Sequence, residues 1–212
     1  MIILNLPLIK MDETYIVFLD IDGVLFDPLN FNINYHTQQV RYIDLVRHFD
    51  SVALSNLHYL IDTIENKTNK KVHIVLSSAW RMLGDFNQIL KLFEQHNFSN
   101  YLIDKTPYIG DYDRDIEIHA WLEKHKNNYN IINYIILDDN DFNLSTRFGK
   151  RFIHCTKLFD GKAFENALDT MLNHKYEEKN HNDKLNKNKY FYVLTILNNL
   201  ILWSIIFYLW LN

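Results

Sequence analysis

The segment IVFLDIDGVL, residues 16–25, joins four consecutive apolar residues to a pair of acids and a glycine. The apolar run is rich in β-branched and aromatic side chains, which predicts a buried strand. Because side chains two residues apart in an extended chain point the same way, Asp20 and Asp22 can converge on one point, and Gly23 then lets the chain turn away. Two carboxylates this close repel each other unless a proton or a metal ion lies between them, which is typical of a site where chemistry occurs.

Strands and helices alternate along the rest of the chain. Further apolar runs predict strands at residues 72–76, 101–103, 131–137 and 151–155. Apolar residues at helical spacing predict one or two helices over residues 40–49 and 52–64, and further helices at residues 82–93, 115–126 and 163–172. This order favours an α/β fold, a Rossmann-like three-layer sandwich in which helices cover both faces of a mostly parallel sheet.

Acidic or hydroxyl side chains follow three of these strands. Asp20 and Asp22 follow the first strand, Ser77 follows the second, and Asp138 and Asp139 follow a later one. Ligands of parallel α/β sheets bind at the carboxyl ends of the strands. We therefore expect these five residues to form one site.

Composition limits the classes of protein to consider. With 212 residues, 48% of them hydrophobic, the chain can bury one sizeable core with an appendage rather than two full domains. A formal net charge of −4 argues against a surface devoted to binding nucleic acid. The single cysteine, Cys155, cannot form an internal disulfide, which fits a reducing compartment, and it lacks the nearby arginine that a cysteine phosphatase needs.

Residues 190–211 are apolar and carry no formal charge. As a helix they would span about 33 Å at roughly 1.5 Å per residue, enough to cross a hydrocarbon layer of about 30 Å. Aromatic residues at both ends suit the membrane interfaces. Asn198 and Asn199 raise the cost of insertion, so a buried or partner-binding helix is the alternative. We expect a transmembrane helix.

A polar stretch, residues 175–189, precedes that helix and is predicted to be a solvated linker. Its lysines Lys184, Lys187 and Lys189 lie on the side expected to face the cytoplasm. The sequence thus predicts a catalytic domain at residues 1–174, tail-anchored as a single-pass membrane protein and facing the cytoplasm.

The motifs resemble those of the haloacid dehalogenase (HAD)-like hydrolases. The run Asp20-Ile-Asp22-Gly23-Val24 is similar to the first motif, and Ser77 after its strand is similar to the second. Asp138-Asp139 resembles the fourth. Arg114 and Lys105 are both candidates for the cation of the third motif. The resemblance covers residues 14–174 and implies a HAD fold.

One branch of this superfamily is especially similar. The stretches LSSAWR at 76–81, RDIEIHAWL at 114–122 and ILDD at 136–139 resemble the HAD phosphatase module of Swiss-army-knife RNA repair proteins. The presence of an acid, Asp22, at this position of the first motif favours a phosphatase, because dehalogenases of the superfamily lack an acid there. The resemblance therefore implies a phosphatase.

This resemblance implies a role for each site residue. Asp20 attacks phosphorus and forms an aspartyl-phosphate, while Asp22 protonates the leaving oxygen and then activates water. Mg²⁺ is held by Asp20, the backbone carbonyl of Asp22 and Asp138, and Asp139 orients a metal-bound water. Ser77 donates to a phosphoryl oxygen, which the cation from Arg114 or Lys105 also neutralises.

The substrate side is less closely defined. Ser78 and Arg81 are candidate phosphate contacts, with Arg81 alternatively the ion-pair partner of a strand-end acid. The loop after the first motif offers further substrate-side candidates: Asn30, Phe31, Asn32 and Tyr35. The chain between residues 25 and 72 has room only for a small or absent cap, which implies an open site for large substrates such as nucleic-acid ends.

Two functions from different classes fit this sequence. The first is a Mg²⁺-dependent phosphatase tethered to a membrane. The second is a catalytically inactive HAD-fold binding module with the same tether. Intact acids in the first and fourth motifs favour the enzyme.

Overall fold

Five parallel strands form one sheet in the computed structural model, which describes residues 12–28, 48–82 and 84–174. The strands are β1 Glu13–Leu19, β2 Lys71–Leu76, β3 Leu102–Lys105, β4 Asn130–Asp138 and β5 Phe152–His154. Their order in the sheet is β3-β2-β1-β4-β5, with every neighbouring pair parallel. The predicted α/β fold with a mostly parallel sheet is confirmed, and β1 lies at its centre.

Helices connect these strands. They are α1 Ser51–Thr68, α2 Phe86–Glu94, α3 Arg114–His125, α4 Leu144–Phe148 and α5 Gly161–Asn173, with short 3-10 turns at Ala79–Met82 and Gly149–Arg151. The helix predicted from residue 82 begins four residues later, because the Asp85 side chain accepts a hydrogen bond from the backbone N–H of Gln88 and caps the helix there. The short helix α4 was not predicted, since five residues carry too little periodicity to detect.

The side chains of β1 alternate between the two faces of the sheet. Val17 and Leu19 pack into a core with residues of α1, α2 and α5, whereas Ile16 and Phe18 pack into a second core with residues of α3 and α4. In the second core the ring of Phe18 lies edge-on to Trp121, with centroids 5.4 Å apart. Both faces of β1 are therefore buried, which is the three-layer arrangement that the continuous apolar run indicates.

Several predictions fall outside the described residues. They concern the linker at 175–189, the transmembrane helix at 190–211, most of the helix at 40–49, and the loop residues Asn30, Phe31, Asn32 and Tyr35. The expected small or absent cap also falls mainly within residues 29–47. Among the helices of the described ranges, none combines the length and apolarity needed to cross a membrane.

Candidate active site

The carboxyl ends of three central strands meet at one level. Leu19 at the end of β1 aligns with Leu76 of β2 and Leu137 of β4. The residues that follow β1 and β2 continue this alignment. The backbone N–H of Asp20 donates to the carbonyl of Leu137 (2.9 Å), and the backbone N–H of Ser77 donates to the carbonyl of Leu19 (2.8 Å). The sheet register thus brings Asp20, Ser77 and Asp138 to the same edge.

Three carboxylates form a compact group at this edge. One carboxylate oxygen from each of Asp20, Asp138 and Asp139 lies within 4.8 Å of the others. Asp20 and Asp138 are buried and Asp139 is half-buried. Hard oxygen ligands at this spacing suit a divalent cation such as Mg²⁺. Asp22 was expected to bind the metal through its backbone carbonyl; its carboxylate is hydrogen-bonded to Trp80, whose indole Nε1 donates to Asp22 Oδ2 (3.1 Å).

Burial disfavours the charged form of each carboxyl in this group. Burial raises the pKa of Asp20, and burial together with the charge of Asp20 raises the pKa of Asp138 well above its ordinary value. Burial raises the pKa of Asp139 as well. Arg114 opposes these shifts but supplies only one positive charge to the three carboxylates. The group therefore fits a bound cation through both its donor chemistry and its excess of negative charge.

Asp22 has different surroundings. Burial and the nearby charge of Asp20 raise its pKa to about 6, against the opposing hydrogen bond from Trp80. A carboxyl group with a pKa in this range can both donate and accept a proton near neutral pH. These surroundings suit Asp22 to proton transfer, and they bring Trp80 into contact with the site.

Gly23 allows the loop after β1 to approach Asp139. Its φ angle of 72° lies in the left-handed region that glycine adopts readily. A Cβ atom at this position would lie 2.3 Å from Cγ of Asp139. Only glycine therefore fits without displacing Asp139 from the carboxylate group.

Arg114 is the cation that reaches the carboxylates. Its Nη1 atom donates to Asp138 Oδ2 (2.9 Å) and to the backbone carbonyl of Ser77, and it lies 3.4 Å from Asp20 Oδ2. Lys105 points elsewhere, with its Nζ donating to the backbone carbonyls of Arg81 (2.7 Å) and Gly84 (3.1 Å). Of the two candidate cations, the structure brings only Arg114 to the acids.

The two serines after β2 have different surroundings. The Ser77 hydroxyl is buried, and among the described residues its Oγ has no hydrogen-bond partner. The Ser78 side chain hydrogen-bonds with the Asp20 carboxylate, which partly offsets the rise in the Asp20 pKa. Ser77 thus has a free hydroxyl for a ligand at this edge, whereas Ser78 is engaged with Asp20.

Arg81 forms an ion pair that the sequence did not identify. Its Nη2 donates to both carboxylate oxygens of Glu117 (2.6 and 2.7 Å), and its Nη1 donates to the carbonyl of Ser78 (2.8 Å). The predicted alternatives were a phosphate contact or a strand-end acid, but Glu117 lies on α3. The available signal was a charged residue beside Ile118 and Trp121 on the buried face of that helix.

A search of curated proteins gives no match. Residues 16–158 match the family described as the HAD domain in Swiss Army Knife RNA repair proteins. The match covers more than half of the chain and spans the segment from β1 to β5, and it confirms the resemblance drawn from the motifs. This chain belongs to the family of HAD domains found in Swiss Army Knife RNA repair proteins.

Proposed function

We propose that this protein is a Mg²⁺-dependent phosphatase that hydrolyses phosphomonoesters through an aspartyl-phosphate on Asp20. Membership of the HAD family indicates a phosphatase-type hydrolase. The observation that supports the metal and the aspartyl-phosphate is the group of three carboxylates, Asp20, Asp138 and Asp139, whose oxygens lie within 4.8 Å of one another beside Arg114.

The same three carboxylates would hold the metal ion. When bound, Mg²⁺ neutralises their charge and polarises a phosphoryl oxygen. Arg114 adds a second source of positive charge, and the Ser77 hydroxyl, which has no partner among the described residues, donates a hydrogen bond to the transferring group. These contacts orient the phosphorus toward Asp20 and stabilise the charge that develops on the phosphoryl oxygens.

Two displacements complete the reaction. An oxygen of Asp20 forms a bond to phosphorus as the bond to the leaving oxygen breaks, and Asp22 gives its proton to that oxygen. Water then attacks the aspartyl-phosphate, passes a proton to Asp22 and releases inorganic phosphate with Asp20 restored. The pKa of about 6 at Asp22 suits both directions of proton transfer.

The proposal extends to substrate class and location. The family description refers to RNA repair, which supports nucleic-acid ends as substrates. The apolar stretch at residues 190–211 supports a single-pass membrane tether that leaves the catalytic domain in the cytoplasm. The full chain should sediment with membranes and a chain ending at residue 174 should not; equal solubility of the two would exclude the tether.

Turnover by the full chain tests the catalytic proposal. With Mg²⁺ the protein should hydrolyse p-nitrophenyl phosphate, and a chelator should stop the reaction. Asp20→Asn should lower kcat by at least about 10⁴-fold, because the nucleophile is removed. The matched control is Asp62→Asn, which changes an exposed acid on α1. Unchanged turnover in Asp20→Asn would exclude Asp20 as nucleophile, and binding of phosphate without turnover would favour the inactive binding module.

A further inference from the structure

Exposed apolar side chains concentrate beside Arg114. The large apolar residues that are exposed within the described ranges are Val52, Tyr59, Met82, Tyr108, Ile109, Tyr112 and Ile116. The last four lie in one short segment around Arg114, and the guanidinium carbon of Arg81 lies 5.8 Å from the Tyr108 ring centroid. We call these four, Tyr108, Ile109, Tyr112 and Ile116, the apolar rim. A concentration of exposed apolar surface marks a binding site.

The rim connects directly to the carboxylates. Tyr112 is 78% exposed, and its ring centroid lies 6.4 Å from that of Phe142. The guanidinium carbon of Arg114 lies 5.3 Å from the Phe142 ring centroid, and the same guanidinium contacts Asp20 and Asp138. A continuous path of contacts therefore leads from the acids through Arg114 and Phe142 to the exposed ring of Tyr112.

Phe142, which contacts both Arg114 and Tyr112, has an unusual backbone conformation. Phe142 has a φ angle of 41° and Asn143 has one of 62°, both in the left-handed region. An aromatic residue adopts this region only when its surroundings compensate for the strain, and such residues cluster at ligand sites. The position of Phe142 next to Arg114 is thus a second indication that this surface contacts a ligand.

We propose that Tyr112 and Phe142 form a stacking site for the base of a nucleotide whose phosphoryl group lies at Asp20, an inference that rests on the proposed phosphatase function. Every nucleobase has a π-face that stacks on aromatic side chains. The Arg114 guanidinium contacts both the Phe142 ring and the acids, and it therefore lies between the aromatic pair and the carboxylates. The stacked ring must therefore be separated from phosphorus by an intervening group, as a sugar separates them in a nucleotide.

The charges of the rim support a base rather than a run of phosphates. Asp111 accepts a hydrogen bond from the Tyr108 hydroxyl (2.6 Å), and Asp113 precedes Arg114 in the same segment. These acids repel additional phosphates along this surface. A free nucleotide and the last nucleotide of a nucleic acid both present the required chemistry, one phosphomonoester and one base.

Substrate pairs that differ only in the base test the proposal. The value of kcat/KM should be about tenfold or more higher for adenosine 5′-monophosphate than for ribose 5-phosphate, because only the former can stack. Tyr112→Ala should lower this ratio about tenfold, and Tyr112→Phe should preserve it. The control is Tyr59→Ala, since Tyr59 is also exposed and stacks on Phe164, which packs against the core on the other face of the sheet.

A second pair identifies the source of the nucleotide. It consists of two oligonucleotides with a terminal phosphate, one with a base and the other with an abasic sugar at that end, compared by kcat/KM. A base effect in both pairs supports the stacking site, and a larger effect in the oligonucleotides assigns it to nucleic-acid ends.

Failure of the stacking site differs from failure of the phosphatase. Hydrolysis of ribose 5-phosphate and adenosine monophosphate at equal kcat/KM, or a ratio unchanged in Tyr112→Ala, overturns the inference and leaves the phosphatase intact. If no phosphomonoester is hydrolysed, the proposed function fails instead. Dissociation constants of the same two ligands, measured by calorimetry for the native protein and Tyr112→Ala, then test the stacking site in the same way.

Discussion

Helix α3 carries two arginine–carboxylate groups within one turn, and they differ in charge balance. At Glu117 a single carboxylate receives two hydrogen bonds from Arg81 and a third from the backbone N–H of Ile109 (2.9 Å). At Arg114 a single guanidinium faces Asp20 and Asp138, and Asp139 completes the carboxylate group. The first group is balanced and the second has an excess of negative charge.

From this difference in charge balance we infer a structural role for the Arg81–Glu117 pair and a functional role for the Arg114 group. Both groups are largely buried, so burial does not distinguish them. The Arg81–Glu117 pair joins the turn after β2 to α3 and to the segment that carries Ile109, and its charges cancel. In the Arg114 group the carboxylates outnumber the guanidinium, and under the proposed function a bound cation would offset the remaining negative charge. Uncompensated charge, rather than a buried ion pair as such, marks the site of chemistry.

Removal of the balancing charge at Glu117 should have the largest effect on stability. Glu117→Gln leaves Arg81 buried without a charged partner, which should lower the free energy of unfolding by about 3–5 kcal/mol. Urea denaturation of the two proteins measures the difference. Glu94→Gln, on the exposed side of α2, is the control and should change the value by less than about 0.5 kcal/mol.

The double variant Arg81→Met with Glu117→Leu sharpens this test. Replacing both charges by apolar groups of similar size is often neutral, so the double variant should recover most of the stability. A loss below about 1 kcal/mol in Glu117→Gln would mean that water or another group compensates the charge of Arg81. The charge balance of the Glu117 group would then not depend on its ion pair, which would contradict the comparison with the Arg114 group.

The two candidate cations should differ strongly in catalysis. Arg114→Met removes the charge beside Asp20 and Asp138 and should lower kcat/KM for p-nitrophenyl phosphate by about 10²–10³-fold. Lys105→Met is the matched variant. It removes hydrogen bonds to the carbonyls of Arg81 and Gly84 only, and should lower kcat/KM by less than about tenfold. A larger loss in Lys105→Met would contradict the assignment of Arg114.

The fold follows from patterns that are local in the sequence. The apolar run of β1 is continuous because both faces of this central strand are covered, and the acids after it mark the strand end. Since parallel strands place their carboxyl ends together, the meeting of Asp20, Ser77 and Asp138 could be predicted without knowing the order of the strands.

Side-chain partners could not be predicted in the same way. The choice between Arg114 and Lys105 depends on which of the two long side chains reaches the acids. Both residues occupy sequence positions that suit the cation of the third motif, so the sequence alone does not decide between them. Likewise, Trp80 donates to Asp22, 58 residues earlier, and Arg81 pairs with Glu117, 36 residues later. These contacts depend on packing between distant segments, which sequence periodicity does not record.

Addition of Mg²⁺ should stabilise the protein by less than Glu117→Gln destabilises it. An ion that binds only the folded state at about 100 times its dissociation constant raises the free energy of unfolding by about 2.7 kcal/mol. The expected cause is compensation of the carboxylates of Asp20, Asp138 and Asp139, for which Arg114 supplies one charge. Thermal unfolding with Mg²⁺, compared with NaCl at equal ionic strength, measures the effect. Asp138→Asn should abolish it, while Asp85→Asn, which alters only the cap of α2, should retain it. An equal rise with NaCl would mean that ionic screening is enough to offset the negative charge of the three carboxylates, so that no specific ion is needed at the Arg114 group.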